Sequence, residues 1–160
     1  MSVFHISEES TSTDARGRAG ALVLVASGEM DYSASPQLRE RMLGHIATGW
    51  RHLVLDLSAV TFIDSTAIGA LVGAVARLQE VGGGSVRVVC NNHNERVLRI
   101  FDMAGVASLI ALHRSRAEAF SALAAAPTVD VRVRAWAEQA TARGARAQIK
   151  VSRRCRTAAL

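Results

Sequence analysis

Asp64, Ser65 and Thr66 stand together where an apolar β-type run gives way to residues with helical spacing. A serine at such a junction suits phosphate. The free backbone N–H groups and the dipole of a helix N-terminus favour an anion. Phosphorylation adds about −1.5 to −2 of charge. Beside Asp64, that charge would make a strongly negative spot without unfolding the helix. A partner surface that accepts the neutral hydroxyl would then reject the phosphate, through repulsion and desolvation. The residues also admit a plainer reading in which Ser65 only caps the helix, with Asp64 as a second candidate cap.

Other chemistries fit poorly. A hydrolase nucleophile elbow needs glycine two residues either side of the serine, and those positions hold Ile63 and Ala67. His52, His93 and His113 fall near element ends and suggest no catalytic partner. Gly82–Gly84 follow a helical pattern and precede a strand pattern, whereas phosphate loops run strand-to-helix. Asp31, Asp56, Asp64 and Asp102 are scattered, and no His/Cys cluster suggests a metal. No catalytic residue, metal or cofactor is expected, and a binding protein is expected rather than an enzyme.

The elements that must position Ser65 are legible in outline. Val3, Phe4 and Ile6 suggest a short first strand, and Leu22–Ala26 a second. Ser27–Asp31 read as a turn. Ser35 before Pro36 suggests an N-cap with proline at the first helical position. Leu38, Met42 and Ile46 then give that helix an apolar stripe. The run Leu53–Leu57 is nearly continuous in apolar residues, as in strands covered on both faces. A helix over residues 65–81 follows, with Ile68, Leu71, Val72, Val75 and Leu78 inward. Val86–Val89 predict a strand, and Asn92 with Glu95 has capping-box spacing. Val97, Leu98 and Phe101 form a helical face that Gly105 ends. Ser108–Leu112 predict a last strand. Ser115–Ala125 predict a last helix, with Ala117, Phe120, Ala124 and Leu123 inward. The alternation argues for an α/β layer structure with a mainly parallel sheet.

The chain has 160 residues, 49% of them hydrophobic and only 4% aromatic, so its core rests on Val, Leu, Ile and Ala. Pro127 marks a composition shift, which divides the chain into a domain over 1–126 and a basic extension over 127–160. The extension carries eight basic residues against Asp130 and Glu138. Residues 1–126 carry eleven basic and twelve acidic. The overall net charge of +5 therefore belongs to the tail and does not make the domain a nucleic-acid binder. The tail is expected to be disordered or partly helical. Cys90 and Cys155 fit no metal or redox spacing. No run is long enough to span a bilayer, and a polar N-terminus leads to the expectation of a cytoplasmic protein.

Asp64-Ser65-Thr66-Ala67-Ile68-Gly69 resembles the signature of STAS-domain anti-sigma factor antagonists. Gly28-Glu29-Met30-Asp31 is similar to that family's Gly-Glu-Leu-Asp turn. Val54–Ile63, Gly82-Gly83, Val88–Cys90 and Leu98–Gly105 continue the likeness in order, across roughly residues 3–125. The resemblance implies a STAS-like fold: four to five strands in a mainly parallel mixed sheet flanked by helices. It implies a partner switch in which the unphosphorylated protein binds an anti-sigma factor of the histidine-kinase-like ATPase type and frees a sigma factor. That anti-sigma factor is itself a serine kinase. It would phosphorylate Ser65, and a PP2C-type phosphatase would reverse the reaction. Asp64 and Thr66 would neighbour the phosphosite, and Asp31, Ser65, Ala67 and Ile68 would meet the partner. Neither a membrane nor direct nucleic-acid contact is implied. Ala67 departs from the family's usual glycine. If that position is simply the first turn of a helix, alanine is the better residue there. STAS-like domains also serve as accessory subunits of ABC-type transporters and as scaffold modules of stress-signalling assemblies, two alternative roles.

Overall fold

The structure, a computed structural model, describes residues 3–10, 20–91 and 93–125. They form five strands and four helices in the order β1 (His5–Ser10), β2 (Leu22–Met30), α1 (Ser35–Ala47), β3 (His52–Ile63), α2 (Ser65–Glu80), β4 (Ser85–Val89), α3 (Glu95–Ala104), β5 (Ala111–His113), α4 (Arg116–Ala125). The strands lie in one sheet in sequence order. β1 is antiparallel to β2, and every later pair is parallel. The mixed, mainly parallel sheet flanked by helices is the architecture the sequence leads one to expect.

Short parallel crossovers are right-handed, so the β2–α1–β3 and β3–α2–β4 units lay their helices on one face. Leu38, Met42 and Ile46 of α1 and Ala67, Leu71, Ala74 and Leu78 of α2 are buried there, above Leu53, Leu55 and Leu57. The opposite face carries Val23, Val54 and Val89, with Ala119 of α4 buried against them and Phe120 and Leu123 half-buried. β3 is thus covered on both sides, which explains why Leu53–Leu57 is apolar but for Asp56.

β3 departs from regular pairing in a way that matters for the site. Its register with β2 shifts twice, between Val25 and Ser27 and between Gly28 and Glu29. At each shift β3 spends one residue more than β2. The two bulges bring Met30 level with Ile63, so Asp31 and Asp64 leave the sheet side by side. Bulges commonly re-aim residues in this way. Gly28, at φ +89°, is essential to this stretch, because a Cβ there would lie 2.5 Å from the Val3 carbonyl oxygen.

Several expectations need correction. Ser27–Met30 are the end of β2, not a turn; pairing with bulged β3 satisfies their backbone. Ser35 does not cap α1: the flanking residue is Ala34, which makes no side-chain cap bond, and Asp31 takes the Ala34 N–H instead. α3 starts after Asn94, whose side chain reaches the Val60 carbonyl rather than a helix N–H. Asn92 lies outside the described residues. The last strand is Ala111–His113, because Leu109 and Ile110 are held in a turn by bonds to the Val106 carbonyl. In α4 the buried alanine is Ala119; Ala117 and Ala124 are exposed. The tail, 127–160, lies outside the described residues.

Two polar groups are buried beneath α4. Asp56 is 7% exposed and pairs with Arg116 at 2.5 Å, and Arg116 also reaches Glu9 of β1 at 2.8 Å. Burial pushes the Asp56 carboxyl up. The Ser58 hydrogen bonds and the Arg116 guanidinium outweigh that push and hold it below its ordinary value. His113 accepts Arg87 Nη1 at 3.2 Å on Nε2 when that nitrogen is unprotonated. Burial first, and then the Arg87 charge, lower its pKa.

Candidate functional site

Asp64 caps α2. It is extended at φ −116° and ψ 179°, and its Oδ1 accepts the Thr66 N–H at 2.9 Å and the Ala67 N–H at 3.1 Å. The Ile68 N–H closes the first helical turn onto the Asp64 carbonyl. Of the two candidate caps, the aspartate takes the role, and this frees the serine. Ser65 is exposed at the first helical position, and its hydroxyl finds no hydrogen-bond partner among the described residues. Of the first-turn amides, only the Ser65 N–H remains for an incoming anion. A phosphate on Ser65 would therefore sit beside the Asp64 carboxylate rather than in a vacant nest of donors.

Thr66 differs from its neighbour. Its hydroxyl donates to Asp64 Oδ1 at 2.5 Å and lies 2.9 Å from Ser35 Oγ. Ser35 Oγ also donates to the Asp31 carbonyl at 2.8 Å. The two hydroxyls have two hydrogens for three oxygen contacts, so the contacts share them, and the Thr66 hydrogen is engaged either with Asp64 or with Ser35. Thr66 is a structural link between the starts of α1 and α2, with its proton already in use.

Asp31 lies at the matching end of β2. Its Oδ1 accepts the Ser33 hydroxyl at 2.6 Å, the Ser33 N–H at 2.9 Å and the Ala34 N–H at 3.1 Å. The Ser33 hydroxyl, joined by the Ala34 and Ser33 amides, outweighs the opposing effect of desolvation and holds its carboxyl below the usual value. A backbone bond from the Asp64 N–H to the Met30 carbonyl, at 3.2 Å, fixes the two aspartates next to each other.

Asp31, Asp64, Ser65 and Thr66 are therefore brought together, while Ala67 and Ile68 sit differently. Ala67 is fully buried and Ile68 is 5% exposed. Their side chains pack under the site and anchor α2, so little of either is available at the surface. No non-glycine residue among those described has a positive φ, so Ala67 is in ordinary helical backbone. Tyr32, 74% exposed, and Phe62, 47% exposed, flank the aspartates; neither was singled out from the sequence. The signal that could have found Tyr32 is its place directly after Asp31, as Ser65 follows Asp64.

A groove of about 640 Å³ lies between Ser58–Thr61 of β3 and Asn91, His93, Asn94, Glu95 and Arg96 before and within α3. It is polar and open. Among the described residues no group of His, Cys, Asp and Glu could hold a metal, and no helix is long and apolar enough to cross a membrane.

The five-stranded mixed sheet with its flanking helices has the topology of the STAS class. The STAS domain family model matches residues 12–119, and the chain belongs to that family. It is similar to the anti-sigma-B factor antagonist of Bacillus subtilis (strain 168), at 32% identity over 83 residues, covering 52% of this chain and 72% of the relative. It is similar to the anti-sigma F factor antagonist of Paenibacillus polymyxa, at 30% over 105 residues, covering 65% and 87%. Among solved structures, an anti-sigma factor antagonist from Mycobacterium paratuberculosis superposes with a TM-score of 0.57 at 26% identity, covering 74% of this chain and 93% of its own.

Proposed function

We propose that this chain is an anti-sigma factor antagonist whose binding is switched off by phosphorylation of Ser65. The observation that carries the reading is the exposed, unbonded Ser65 hydroxyl at the first position of α2, beside a cap already occupied by Asp64. The names of its similar relatives support the antagonist role. In this reading the neutral form docks on an anti-sigma factor of the histidine-kinase-like ATPase type and releases a sigma factor. The same partner transfers the γ-phosphoryl group of ATP to Ser65 Oγ, with loss of the hydroxyl proton and release of ADP. A PP2C-type phosphatase returns the serine. The chain itself contributes no catalytic group, and its setting is the cytoplasm, where sigma factors act.

Charge is the working element. A phosphate of about −1.5 to −2 beside Asp64 and close to Asp31 concentrates negative charge on a surface about the width of two strands. An interface that desolvates Ser65 would have to bury that charge unpaired, at a cost of several kcal/mol. Binding measured against a purified anti-sigma factor of this type tests the reading. Ser65→Ala is expected to bind like wild type and accept no phosphate, and Ser65→Asp to bind at least about 100-fold more weakly. Equal affinity of all three forms removes Ser65 from the mechanism.

A further inference from the structure

The cap that presents Ser65 occurs twice. Asp31-Tyr32-Ser33-Ala34 and Asp64-Ser65-Thr66-Ala67 follow adjacent parallel strands at the level pair Met30 and Ile63. In each, Oδ1 of the aspartate accepts the N–H and hydroxyl two residues on and the N–H three residues on. The distances are 2.9, 2.6 and 3.1 Å at Asp31 and 2.9, 2.5 and 3.1 Å at Asp64. In each, the N–H four residues on closes onto the aspartate's carbonyl, Ser35 on Asp31 and Ile68 on Asp64. Tyr32 thus holds the place in the first cap that Ser65 holds in the second.

We propose that Tyr32 is the aromatic anchor by which the Ser65-reading partner recognises this protein; the inference rests on the phosphoswitch reading and names the residue that supplies its affinity. Neighbouring strands are about 4.8 Å apart, so a surface that covers Ser65 also reaches the first cap. The Ser35–Thr66 contact at 2.9 Å ties the two caps together, so Tyr32 and Ser65 are offered at a fixed spacing, which lowers the ordering cost of binding. Tyr32 is 74% exposed. Only four large apolar side chains among the described residues are so displayed, Val3, Tyr32, Phe62 and Met103. Two of these flank the paired aspartates, where solvent-facing rings serve no packing purpose. A tyrosine that loses its water in the middle of an interface is a common source of binding energy. The arrangement divides the labour: the ring supplies affinity, and the serine supplies the veto.

The test uses the full chain and each ATPase-type anti-sigma factor encoded in the source genome, purified and loaded with ADP. Calorimetry compares wild type, Tyr32→Ala, Tyr32→Phe, Ser65→Asp and a remote control, Glu80→Ala. Glu80 ends the 16-residue α2, roughly 22 Å along the axis from Ser65. The expected result is a weakening of about 30-fold or more for Tyr32→Ala, a change within about threefold for Tyr32→Phe, none for Glu80→Ala, and loss of binding for Ser65→Asp. Circular dichroism checks that the variants fold, which the exposure of Tyr32 favours. Tyr32→Ala within about threefold of wild type while Ser65→Asp fails to bind overturns the anchor and leaves the switch intact. Weak binding by Tyr32→Ala with normal binding by Ser65→Asp contradicts the switch and keeps Tyr32 as a contact. An equal loss in Glu80→Ala, or no binding by wild type to any of these factors, overturns the anchor.

Discussion

Ser65 owes its availability to its neighbour. Asp64 satisfies the Thr66 and Ala67 amides, so the serine is spared the capping duty that its position invites. Thr66, one residue on, is consumed by Asp64 and Ser35. The pair shows why adjacent hydroxyls, alike in sequence, differ in chemistry: one is free, and the other is the bolt between two helices. Ala67 belongs to the same scale. It is buried in unstrained helical backbone, so its departure from the family's glycine adds helix propensity without distorting the site. Ala67→Gly is expected to lower stability by about 0.5–1 kcal/mol in denaturant titration and to leave the extent of Ser65 phosphorylation unchanged. A large change in phosphorylation with unchanged stability would show that the methyl group acts on the kinase instead.

At the scale of elements, two β-bulges do what no local motif announces. They absorb two extra residues of β3 and bring the ends of β2 and β3 level. The sequence shows the apolar runs and the helical stripes plainly, because burial on one or two faces imposes periodicity. It does not show where an irregular strand continues, so Ser27–Met30 look like a turn until their pairing with β3 is known. For the same reason Ser35 looks like a cap, when its hydroxyl is bonded to the Asp31 carbonyl and to Thr66. Long-range contacts of this kind leave no trace in local composition. Ser65, Asp64 and Asp31 were legible; Tyr32 was not, because its significance is the repetition of a cap rather than a residue type. The Asp56–Arg116–Glu9 bridge is a further long-range device, joining α4 to β3 and β1. Arg116→Met is expected to cost about 2 kcal/mol, between the small value of an exposed pair and that of a buried charge left without its partner. Urea denaturation of the variant at neutral pH measures it, and an unchanged midpoint would mean that Asp56 is held by Ser58 alone.

The whole molecule should lose stability in acid in two stages. His52 and His113 have folded-state pKa values below the free value of 6.5, chiefly from burial. The unfolded chain therefore takes up protons first, and their contribution declines as pH falls below 6.5. Asp56 is depressed below its free value of 3.8, so its contribution is intact above that pH and is lost as pH drops through the folded value. Thermal melts from pH 8 to pH 3 are expected to show a gradual fall below 6.5 and a steeper one near the carboxylate range. A flat profile between pH 7 and 5 would contradict the neutral, buried state of the histidines. The basic residues of 127–160 stand apart from all this. Because every side chain proposed above to act in recognition lies within 1–126, a chain ended at residue 126 is expected to keep the partner affinity of the full chain within about threefold, well short of the loss a hot-spot residue carries. A larger loss would assign the tail a part in recognition. Phosphopeptide mass spectrometry of the protein from its native cells tests the Ser65 switch at the residue itself. Trypsin releases His52–Arg77 as one peptide containing Ser58, Thr61, Ser65 and Thr66. Partial phosphate is expected on Ser65 and none on Thr66. Phosphate on Thr66 instead, or a well-observed peptide without phosphate across growth phases and stresses, would contradict the switch.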